Sequence, residues 1–415
     1  MKKFLIIFSA LLYSACLYSD WQKINSFPVN YVQDIYISGG IVYAATANNG
    51  VYKSTDGTLS WVQISSGLNN PQALQCVQVI SNGGSLYAAT FDGIYKSTNF
   101  GANWIKKSTG IIIGNGANYE FCESIFEHNN NLFTGAYTGL YRSTNGGESW
   151  LATNITGMHI WAKNFTLHNG TIFAARETGN QPNGYFSTDN GITWNSLSSI
   201  SVPSITFFSE PGKLFAGTIH GAWLSTNNGS SWLERSNGYS PDPYTSSFVR
   251  VNAVLVSSLK FGGSGIYKST NDGILWENFG QGLPFLSNID KLVIFNNKIL
   301  AATSGGIYQR NASEVTGITQ ISTEIPASFS LSQNYPNPFN PVTKIRFELP
   351  AGVARRVALT VFDALGKETA SLVNEQLTPG TYEVSFNGSD LTSGAYFYSL
   401  QAGEFTETKK MILVK

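Results

Sequence analysis

Charge is scarce in this chain of 415 residues. Lys and Arg together number 26, as do Asp and Glu, so the formal net charge is zero and only 13% of residues are charged. Proteins that bind nucleic acid present a basic stripe or patch, and this composition argues against such a partner. The four histidines lack metal-ligand spacing, and neither a Gly-rich phosphate loop nor a Ser/His/Asp set is found. The sequence therefore assigns no catalytic residue, no metal ion and no cofactor.

Long apolar runs are also lacking. The one apolar run follows Met1-Lys2-Lys3 and extends from Phe4 to Leu12, which is too short to span a bilayer. Its basic start and the small and polar residues after it predict a secretory signal peptide at residues 1–19. Cys16 follows Tyr13-Ser14-Ala15 and leaves a lipoprotein cleavage box as the alternative. The mature chain is expected to contain no transmembrane segment.

Glycine and aromatic residues are abundant, and they occur in a repeat. The stretch from Ser97 to Trp104 has the pattern Ser-x-Asp/Asn-x-Gly-x-x-Trp, which we call a box. Further boxes begin at Ser143, Ser187, Ser225 and Ser269, and a looser one begins at Ser54, with Thr58 in place of Gly. The box serines stand at positions 54, 97, 143, 187, 225 and 269, a step of 38 to 46 residues. A period of about 40–50 residues with strands inside it is typical of a β-propeller.

Each end of the repeat region lacks the part of a repeat that the other end contains. Seven strand copies are found, and the last repeat, ending at Gly306 to Arg310, has no Trp strand after it. Trp21 to Ile24 resembles Trp61 to Ile64 but has no repeat before it. We expect the N-terminal strand to be the outer strand of the final blade, which gives seven four-stranded blades and removes exposed sheet edges.

The residues of the box suit a tight turn. Ser and Asp or Asn side chains bond nearby backbone N–H groups, and glycine tolerates positive φ. Four boxes carry Asn where a calcium loop prefers a carboxylate, which favours a structural turn; these residues are Asn99, Asn145, Asn227 and Asn271. The pattern resembles the BNR/Asp-box repeat propellers, a group that includes sialidases, the sortilin ectodomain, xyloglucan-cleaving glycosidases and photosystem assembly factors. This resemblance covers about residues 21–312 and implies an all-β, seven-bladed propeller, placed here at residues 20–312.

Two cysteines of the repeat region occupy equivalent positions. Cys76 and Cys122 have the same spacing as Ser97 and Ser143, 46 residues, so they belong to neighbouring repeats. One interpretation is a pair of buried, inert thiols. The other is a disulfide between blades, which an oxidising compartment permits.

The composition changes after Arg310. Residues 313–328 are polar and predict a linker, and residues 329–415 contain short strands with glycine turns, as in an immunoglobulin-like β-sandwich. Tyr335 to Pro341, Val361 to Gly366, Leu391 to Tyr398 and the terminal Lys410 to Lys415 resemble the type A C-terminal sorting domain of the type IX secretion system. The resemblance implies that the secretion machinery is a partner. It also implies export through the periplasm to the surface of a Gram-negative bacterium, or secretion from it.

Family resemblance also raises the question of catalysis. Sialidases of this fold use three arginines, a Tyr/Glu nucleophile pair and an Asp acid. Only Arg176, Arg235 and Arg250 remain available here, without the family's opening arginine motif. The xyloglucan glycosidases need two propellers, and this chain predicts one. A glycan hydrolase with an atypical site therefore stays an alternative, as does a scaffold or assembly factor.

The interpretation we adopt is a secreted or surface-displayed binding or adhesion propeller for an extracellular glycan or protein. Long loops between strands are expected to meet at one face and to supply aromatic and polar side chains. The candidate ligand-binding residues are Tyr119, Glu120, His159, Trp161, Arg176, Glu177, Tyr239, Asp242, Tyr244 and Arg250.

Overall fold

The computed structural model describes residues 20–113, 120–177, 182–261, 265–285, 287–315, 318–352, 355–388 and 391–415. The predicted signal peptide at 1–19 lies outside these residues. Within the described ranges the chain is nearly all β, and the only helical element is the 3-10 turn Ala312–Glu314. No helix in this part of the chain has the length and apolarity needed to cross a membrane.

Between residues 22 and 311, the described residues form seven four-stranded antiparallel sheets. The first strand of the chain is β1 (Gln22–Lys23). Sheet 1 contains β2 (Val32–Ser38), β3 (Ile41–Thr46), β4 (Gly50–Ser54) and β5 (Val62–Gln63). Sheet 2 contains β6 (Cys76–Asn82), β7 (Ser85–Thr90), β8 (Gly93–Ser97) and β9 (Ile105–Lys106). Sheet 3 contains β10 (Phe126–His128), β11 (Asn131–Ala136), β12 (Gly139–Ser143) and β13 (Leu151–Thr156).

The remaining sheets of this series repeat the same order. Sheet 4 contains β14 (Ala162–His168), β15 (Thr171–Arg176), β16 (Gly184–Ser187) and β17 (Asn195–Ser196). Sheet 5 contains β18 (Ser204–Glu210), β19 (Lys213–Thr218), β20 (Gly221–Ser225) and β21 (Leu233–Glu234). Sheet 6 contains β22 (Tyr244–Val251), β23 (Val254–Lys260), β24 (Gly265–Ser269) and β25 (Glu277–Asn278). Sheet 7 contains β26 (Ile289–Phe295), β27 (Lys298–Thr303), β28 (Gly306–Asn311) and, as its outer strand, β1.

Two-residue turns join the first two strands of most sheets. In sheet 1 the turn is Gly39-Gly40, with φ of 57° and 79°, and in sheet 7 it is Asn296-Asn297, with φ of 47° and 57°. Positive φ at both central residues is the geometry of a type I′ hairpin, which Gly and Asn adopt most readily. These turns fix the register that buries the aliphatic and aromatic side chains of the second strands between adjacent sheets.

Each of the six boxes forms the same turn. The serine hydroxyl donates to Oδ1 of the Asp or Asn two residues later, at 2.8 to 3.0 Å. That Oδ1 also accepts the N–H four residues further on, at 2.9 to 3.0 Å. The four Asn boxes make the same two bonds as the boxes of Asp56 and Asp189, so the turn does not depend on a carboxylate. Bonds from Ser60 and Thr193 lower the pKa of these two carboxyls to about 2.

Several box tryptophans attach one sheet to the sheet before it. The Nε1 of Trp150 donates to Lys107 O at 2.8 Å, and the Nε1 of Trp276 donates to Arg235 O at 2.7 Å. In both cases the acceptor lies three residues beyond the previous tryptophan of the series. Trp104 bonds in the same way, whereas Trp194 and Trp232 donate to other groups.

The N-terminal strand completes sheet 7. Gln22 pairs with Gln309, and Lys23 pairs with Tyr308. Trp21 Nε1 donates to Phe279 O at 2.8 Å, again three residues beyond the preceding tryptophan. The pairing expected for Trp21 to Ile24 is therefore present. First strands of most neighbouring sheets also contact each other, including β26 of sheet 7 and β2 of sheet 1. Sheet 3 is joined to its neighbours through the Ile125 N–H, which donates to Gln78 Oε1, and through β11, which contacts β14, so the sheets form a closed ring.

Both cysteines of the repeat region are free thiols and are buried. Burial raises the pKa of each thiol, that of Cys122 to about 12. This outcome corresponds to the inert-thiol interpretation and not to the disulfide.

The C-terminal residues form two further four-stranded sheets. Sheet 8 contains β29 (Ile318–Ser322), β34 (Gly380–Asn387), β31 (Val342–Leu349) and β30 (Ser330–Leu331). Sheet 9 contains β33 (Glu368–Leu377), β32 (Arg355–Phe362), β35 (Gly394–Ala402) and β36 (Phe405–Leu413). Both sheets contribute to one hydrophobic core, which includes Phe347 and Val384 from sheet 8 and Leu359 and Tyr398 from sheet 9. Part of the predicted linker, β29, instead pairs with β34, because Ile318 has an apolar core to enter.

Replacing Trp21 with Phe tests the attachment of β1. We expect Trp21→Phe to lower the free energy of unfolding by about 1–3 kcal/mol, because a buried hydrogen bond and part of the ring packing are lost. Trp61→Phe is the matched control, since Trp61 Nε1 has no hydrogen-bond partner. Denaturant unfolding should show a smaller loss for Trp61→Phe; equal losses for the two variants would contradict the role assigned to Trp21.

Candidate functional site

One extra residue interrupts the first strand in six of the seven sheets, within the described residues. The register against the second strand shifts there, as between Val32 and Asp34 in sheet 1. The extra residues are Gln33, Val77, Lys163, Ile205, Ser246 and Asp290. A β-bulge re-aims a side chain, and all six residues line one cavity of about 90 Å³, joined by Glu123 from sheet 3.

The cavity lies toward one end of the ring. First strands begin and second strands end there, and we call this end the cavity face. The box turns follow the third strands and therefore lie at the opposite end, which we call the box face. The separation follows from antiparallel pairing, because strand ends alternate between the two faces.

In several sheets, the residue that directly follows the bulge accepts a backbone hydrogen bond from the next sheet. Asp34 Oδ2 accepts the Val79 N–H at 3.2 Å, and Asn164 Oδ1 accepts the Phe207 N–H at 3.1 Å. Asp34 is 6% exposed. Burial raises the pKa of the Asp34 carboxyl, against a smaller lowering by Lys291.

Charged side chains from sheets 3, 4, 6 and 7 surround the cavity. Lys163 Nζ contacts Glu177 and lies 3.8 Å from Glu123 Oε2, while Lys260 pairs with Asp290. Asp290 Oδ2 is buried and has no hydrogen-bond partner. The carboxylates thus place hydrogen-bond acceptors beside the cavity.

Burial governs the protonation of these groups. It raises the pKa of Glu123 and of Asp290, and for each the nearby lysine opposes the rise. Burial disfavours the charged form of Lys163, but Glu123 and Glu177 outweigh that effect and raise its pKa. Lys163 therefore stays charged at neutral pH, and the Glu123 and Asp290 carboxyls hold their protons to higher pH than exposed carboxyls do.

Aromatic side chains form an arc on the cavity face over sheets 2 to 4. Ring centroids are 4.9 Å apart for Phe91 and Phe121, 6.5 Å for Phe121 and Tyr137, and 6.1 Å for Tyr137 and Trp161. His159 lies 4.7 Å from the Tyr137 ring, and the Tyr137 hydroxyl is 3.1 Å from its Nε2. We call these five residues the aromatic arc. His159 and Trp161 have φ of 62° and 37°, a strained region that is common at functional sites.

The structure brings several predicted site residues together. His159 and Trp161 belong to the aromatic arc, and the Tyr244 hydroxyl donates to Glu177 at the edge of the cavity. Arg176 is 8% exposed, and its guanidinium donates to the carbonyls of Pro182 and His159, so it supports the loop.

One predicted residue lies further from the cavity. Glu120 lies on the cavity face but pairs with Lys106 at 2.6 Å, away from the cavity lining. Tyr119 lies outside the described residues.

Three other predicted residues do not join this group. Tyr239 stacks on Trp276, with centroids 4.8 Å apart, and is a packing residue. Asp242 is exposed on the loop before β22. Arg250 lies near the other end of β22, on the box face, where it pairs with Glu210 at 2.6 Å and with Asp272 at 2.7 Å. Loop length alone had placed Arg250 with Tyr244, whereas five strand residues, 245–249, lie between them.

Most cavity residues were missed from the sequence, although an alignment of the repeats contains the signal. Each extra residue precedes an equivalent residue near the end of the second strand by 13 positions. Gln33 precedes Thr46 by this distance, and Asp290 precedes Thr303 by the same distance. Lys163 and Arg176 have the same offset. Aligning the repeats on their second strands therefore puts the bulge residues in one column.

The motif of residues 335–341 is tied to the end of the chain. Phe339 is 2% exposed, its N–H donates to Ile412 O at 2.9 Å, and its carbonyl accepts the Val414 N–H at 3.0 Å. Asn337 Oδ1 accepts the Ile412 N–H at 2.9 Å. The motif therefore holds the last strand, β36, in place.

Comparison with protein families finds a match for this region. Residues 333–415 match the family described as the secretion system C-terminal sorting domain. The chain therefore carries a type IX sorting domain, interacts with that secretion machinery, and is exported to the cell surface or secreted by a Gram-negative bacterium. This confirms the predicted localisation. No curated protein matches the chain.

Solved structures resemble the chain in fold. The extracellular domain of a one-component system from B. thetaiotaomicron has a TM-score of 0.55 at 13% identity; the match covers 95% of this chain and 59% of that chain. The chain thus spans about three fifths of that relative's length. A chain of the Mitotic Checkpoint Complex has a TM-score of 0.53 at 8% identity, and the match covers 75% of this chain and 99% of that one. At these identities the likeness concerns the fold alone.

Replacing Asp34 with Asn tests the electrostatics of the cavity wall. The folded-state pKa of Asp34 is raised, so folding favours the protonated form, and stability is lost as pH rises from the ordinary value through the raised one. Asp34→Asn keeps an acceptor for Val79 and removes the charge. Its melting temperature should match that of the unsubstituted protein below about pH 4 and exceed it at pH 7.

Asn164→Asp is the reverse change at the equivalent position of sheet 4. It should lower the melting temperature increasingly as pH rises. A melting temperature of Asp34→Asn below that of the unsubstituted protein at pH 7 would contradict this account of the cavity wall.

Proposed function

We propose that the protein is an exported binding protein whose cavity face recognises an extracellular glycan. In this proposal, sheets 1 to 7 are the blades of a seven-bladed β-propeller of the BNR/Asp-box type, within residues 20–312. Residues 329–415 are an immunoglobulin-like sandwich that acts as the sorting domain. The closed ring of similar sheets and the six identical box turns support this architecture.

The proposed ligand class, a glycan, rests on one observation. The aromatic arc and the charged cavity lie on the same face of the ring. A sugar ring has apolar C–H faces that stack on aromatic side chains and hydroxyls that bond to carboxylates and amides. The arc supplies the first kind of contact through Tyr137 and Trp161. The cavity supplies the second through Asp290, Gln78 and Asn164. Convergent polar groups beside an apolar surface are the usual composition of a small-molecule site.

A glycan hydrolase is the second candidate, and one contact favours it. The Tyr244 hydroxyl donates to Glu177, and a hydrogen-bonded Tyr/Glu pair is the arrangement that the resemblance to sialidases implies for the nucleophile. Against it, the Arg176 guanidinium donates to backbone carbonyls and so is engaged in holding a loop. Arg250 lies on the box face. Binding without turnover therefore fits the site better.

A glycan array tests the proposal with the full chain. The unsubstituted protein should bind a glycan class, and Trp161→Ala should weaken binding by about tenfold or more, because a stacking surface is lost. Phe100→Ala is the matched control, since Phe100 is an exposed aromatic residue of a box turn on the opposite face. Equal losses for the two variants would refute the cavity face as the site.

The same glycans should then be assayed for cleavage. Turnover that Glu177→Gln abolishes would replace binding with hydrolysis as the function. No binding to any glycan would contradict the glycan proposal and favour a protein partner.

A further inference from the structure

The cavity lined by the bulge residues is too small for a sugar ring. Its volume is about 90 Å³. An engineered protein cavity that encloses benzene measures about 150 Å³, and a pyranose ring with its substituents is bulkier than benzene. Only a substituent of a sugar can therefore enter the cavity, while the ring itself stays outside.

The aromatic arc begins beside the cavity lining. Trp161 is two residues from Lys163, and Phe121 is two residues from Glu123. Two residues of chain span at most about 7 Å. A sugar ring that stacks on the arc therefore has the cavity within reach of one of its substituents.

Charge in the cavity lining is balanced. The lining contains three acidic and three basic residues, which are Asp34, Glu123, Asp290, Lys163, Lys260 and Lys291. Beyond the lining, Glu177 contacts Lys163, and the adjacent Arg176 contributes the opposite charge. A further full charge in a buried site is unfavourable unless it is paired. The lining therefore favours a neutral ligand group over a carboxylate, a sulfate or an ammonium group.

Two consecutive residues of the lining have unused hydrogen-bonding capacity. Asp290, the bulge residue of sheet 7, has a side chain that is 9% exposed, and its Oδ2 has no hydrogen-bond partner. Among the residues that the structure describes, Lys291 makes no hydrogen bond and no ion pair, although its charge lowers the pKa of Asp34. Sheet 7 therefore offers one acceptor and one donor beside each other.

The cavity also has an apolar part. Two of its six bulge residues are aliphatic, Val77 and Ile205, and Ile205 is 5% exposed. Hydroxyl and amino groups have no apolar atoms to place there, whereas an acetamido group has a methyl group. It also has an N–H donor and a carbonyl acceptor on separate atoms. Separate atoms suit partners on consecutive residues, whose Cα atoms are about 3.8 Å apart.

We propose that the cavity recognises the acetamido group of a neutral, N-acetylated amino sugar. This inference rests on the proposed function, because it assigns the specificity of the same site. The sugar ring stacks on the aromatic arc, the amide N–H donates to Asp290, the carbonyl accepts from Lys291, and the methyl group packs against the aliphatic bulge residues. Both hydrogen bonds involve a charged partner, and such bonds are about twice as strong as neutral ones.

Three tetrasaccharides of the same linkage test the assignment, because they differ only in the substituent at the second ring carbon. Chitotetraose carries an acetamido group there, its fully deacetylated form an amino group, and cellotetraose a hydroxyl. Calorimetric titration of the full chain should show about tenfold or more tighter binding of chitotetraose, because a site built to bond one group rejects analogues that lack it. Equal or tighter binding of either analogue would overturn the proposal.

Lys291→Met tests the partner of the carbonyl. Met retains the apolar stem but donates no hydrogen bond, so the affinity for chitotetraose should fall about tenfold, toward that for cellotetraose. Lys53→Met is the matched control, because Lys53 Nζ lies on the box face, 3.3 Å from Phe100 O. Melting curves identify the folded variants. Unchanged chitotetraose affinity in folded Lys291→Met would refute the acetamido site.

The outcomes separate this inference from the proposed function. Suppose that a glycan without acetamido groups binds, that Trp161→Ala abolishes its binding, and that Lys291→Met does not affect it. That result would keep the cavity face as a glycan site and overturn the acetamido assignment. No binding to any glycan on the array would overturn both.

Discussion

The closure of the sheets into a ring is the constraint on which the rest of the structure depends. In an open row of four-stranded sheets, the first sheet and the last sheet would each lack a neighbouring sheet on one side. Here β1 crosses that gap, pairing with β28 while Trp21 reaches back to Phe279. With the chain start completing the last sheet, β26 of sheet 7 contacts β2 of sheet 1, and β2 contacts β6 of sheet 2. The ring brings the six bulge residues and Glu123 to one cavity.

The two faces of the ring differ in how uniform their side chains are. The box turns repeat one hydrogen-bond pattern whether the residue is Asp or Asn, which is the behaviour of a structural element. The cavity face has no such uniformity: Lys163, Ile205 and Asp290 occupy equivalent bulge positions with different chemistry. Sequence variation at a fixed backbone position is how a repeated scaffold acquires one particular site. The sorting domain directs the export of the chain that carries these sheets.

The repeat period of the sequence predicted the sheets, but it did not predict the residues that the β-bulges turn toward the cavity. Box spacing and the two incomplete ends were sufficient to anticipate the four-stranded sheets and the pairing of Trp21 to Ile24. Glu177 and Tyr244, candidates chosen from the long connections between strands, contact each other at the edge of the cavity. Lys163 and Asp290 were missed because a bulge breaks the alternation that strand patterns rely on. Arg250 was placed at the wrong end of its strand, and β29 was taken as linker because a five-residue polar strand carries little signal.

The most direct test of ring closure is a cross-link between the two ends of the ring. Gln22 and Gln309 are directly paired, and opposed residues of antiparallel strands lie within disulfide reach. With Gln22→Cys and Gln309→Cys combined, oxidation should give an intramolecular bridge between these positions in the monomer, found by mass spectrometry of unreduced peptides. Free thiols at both positions, or bridges only between molecules, would contradict the closure of the ring by the N-terminal strand.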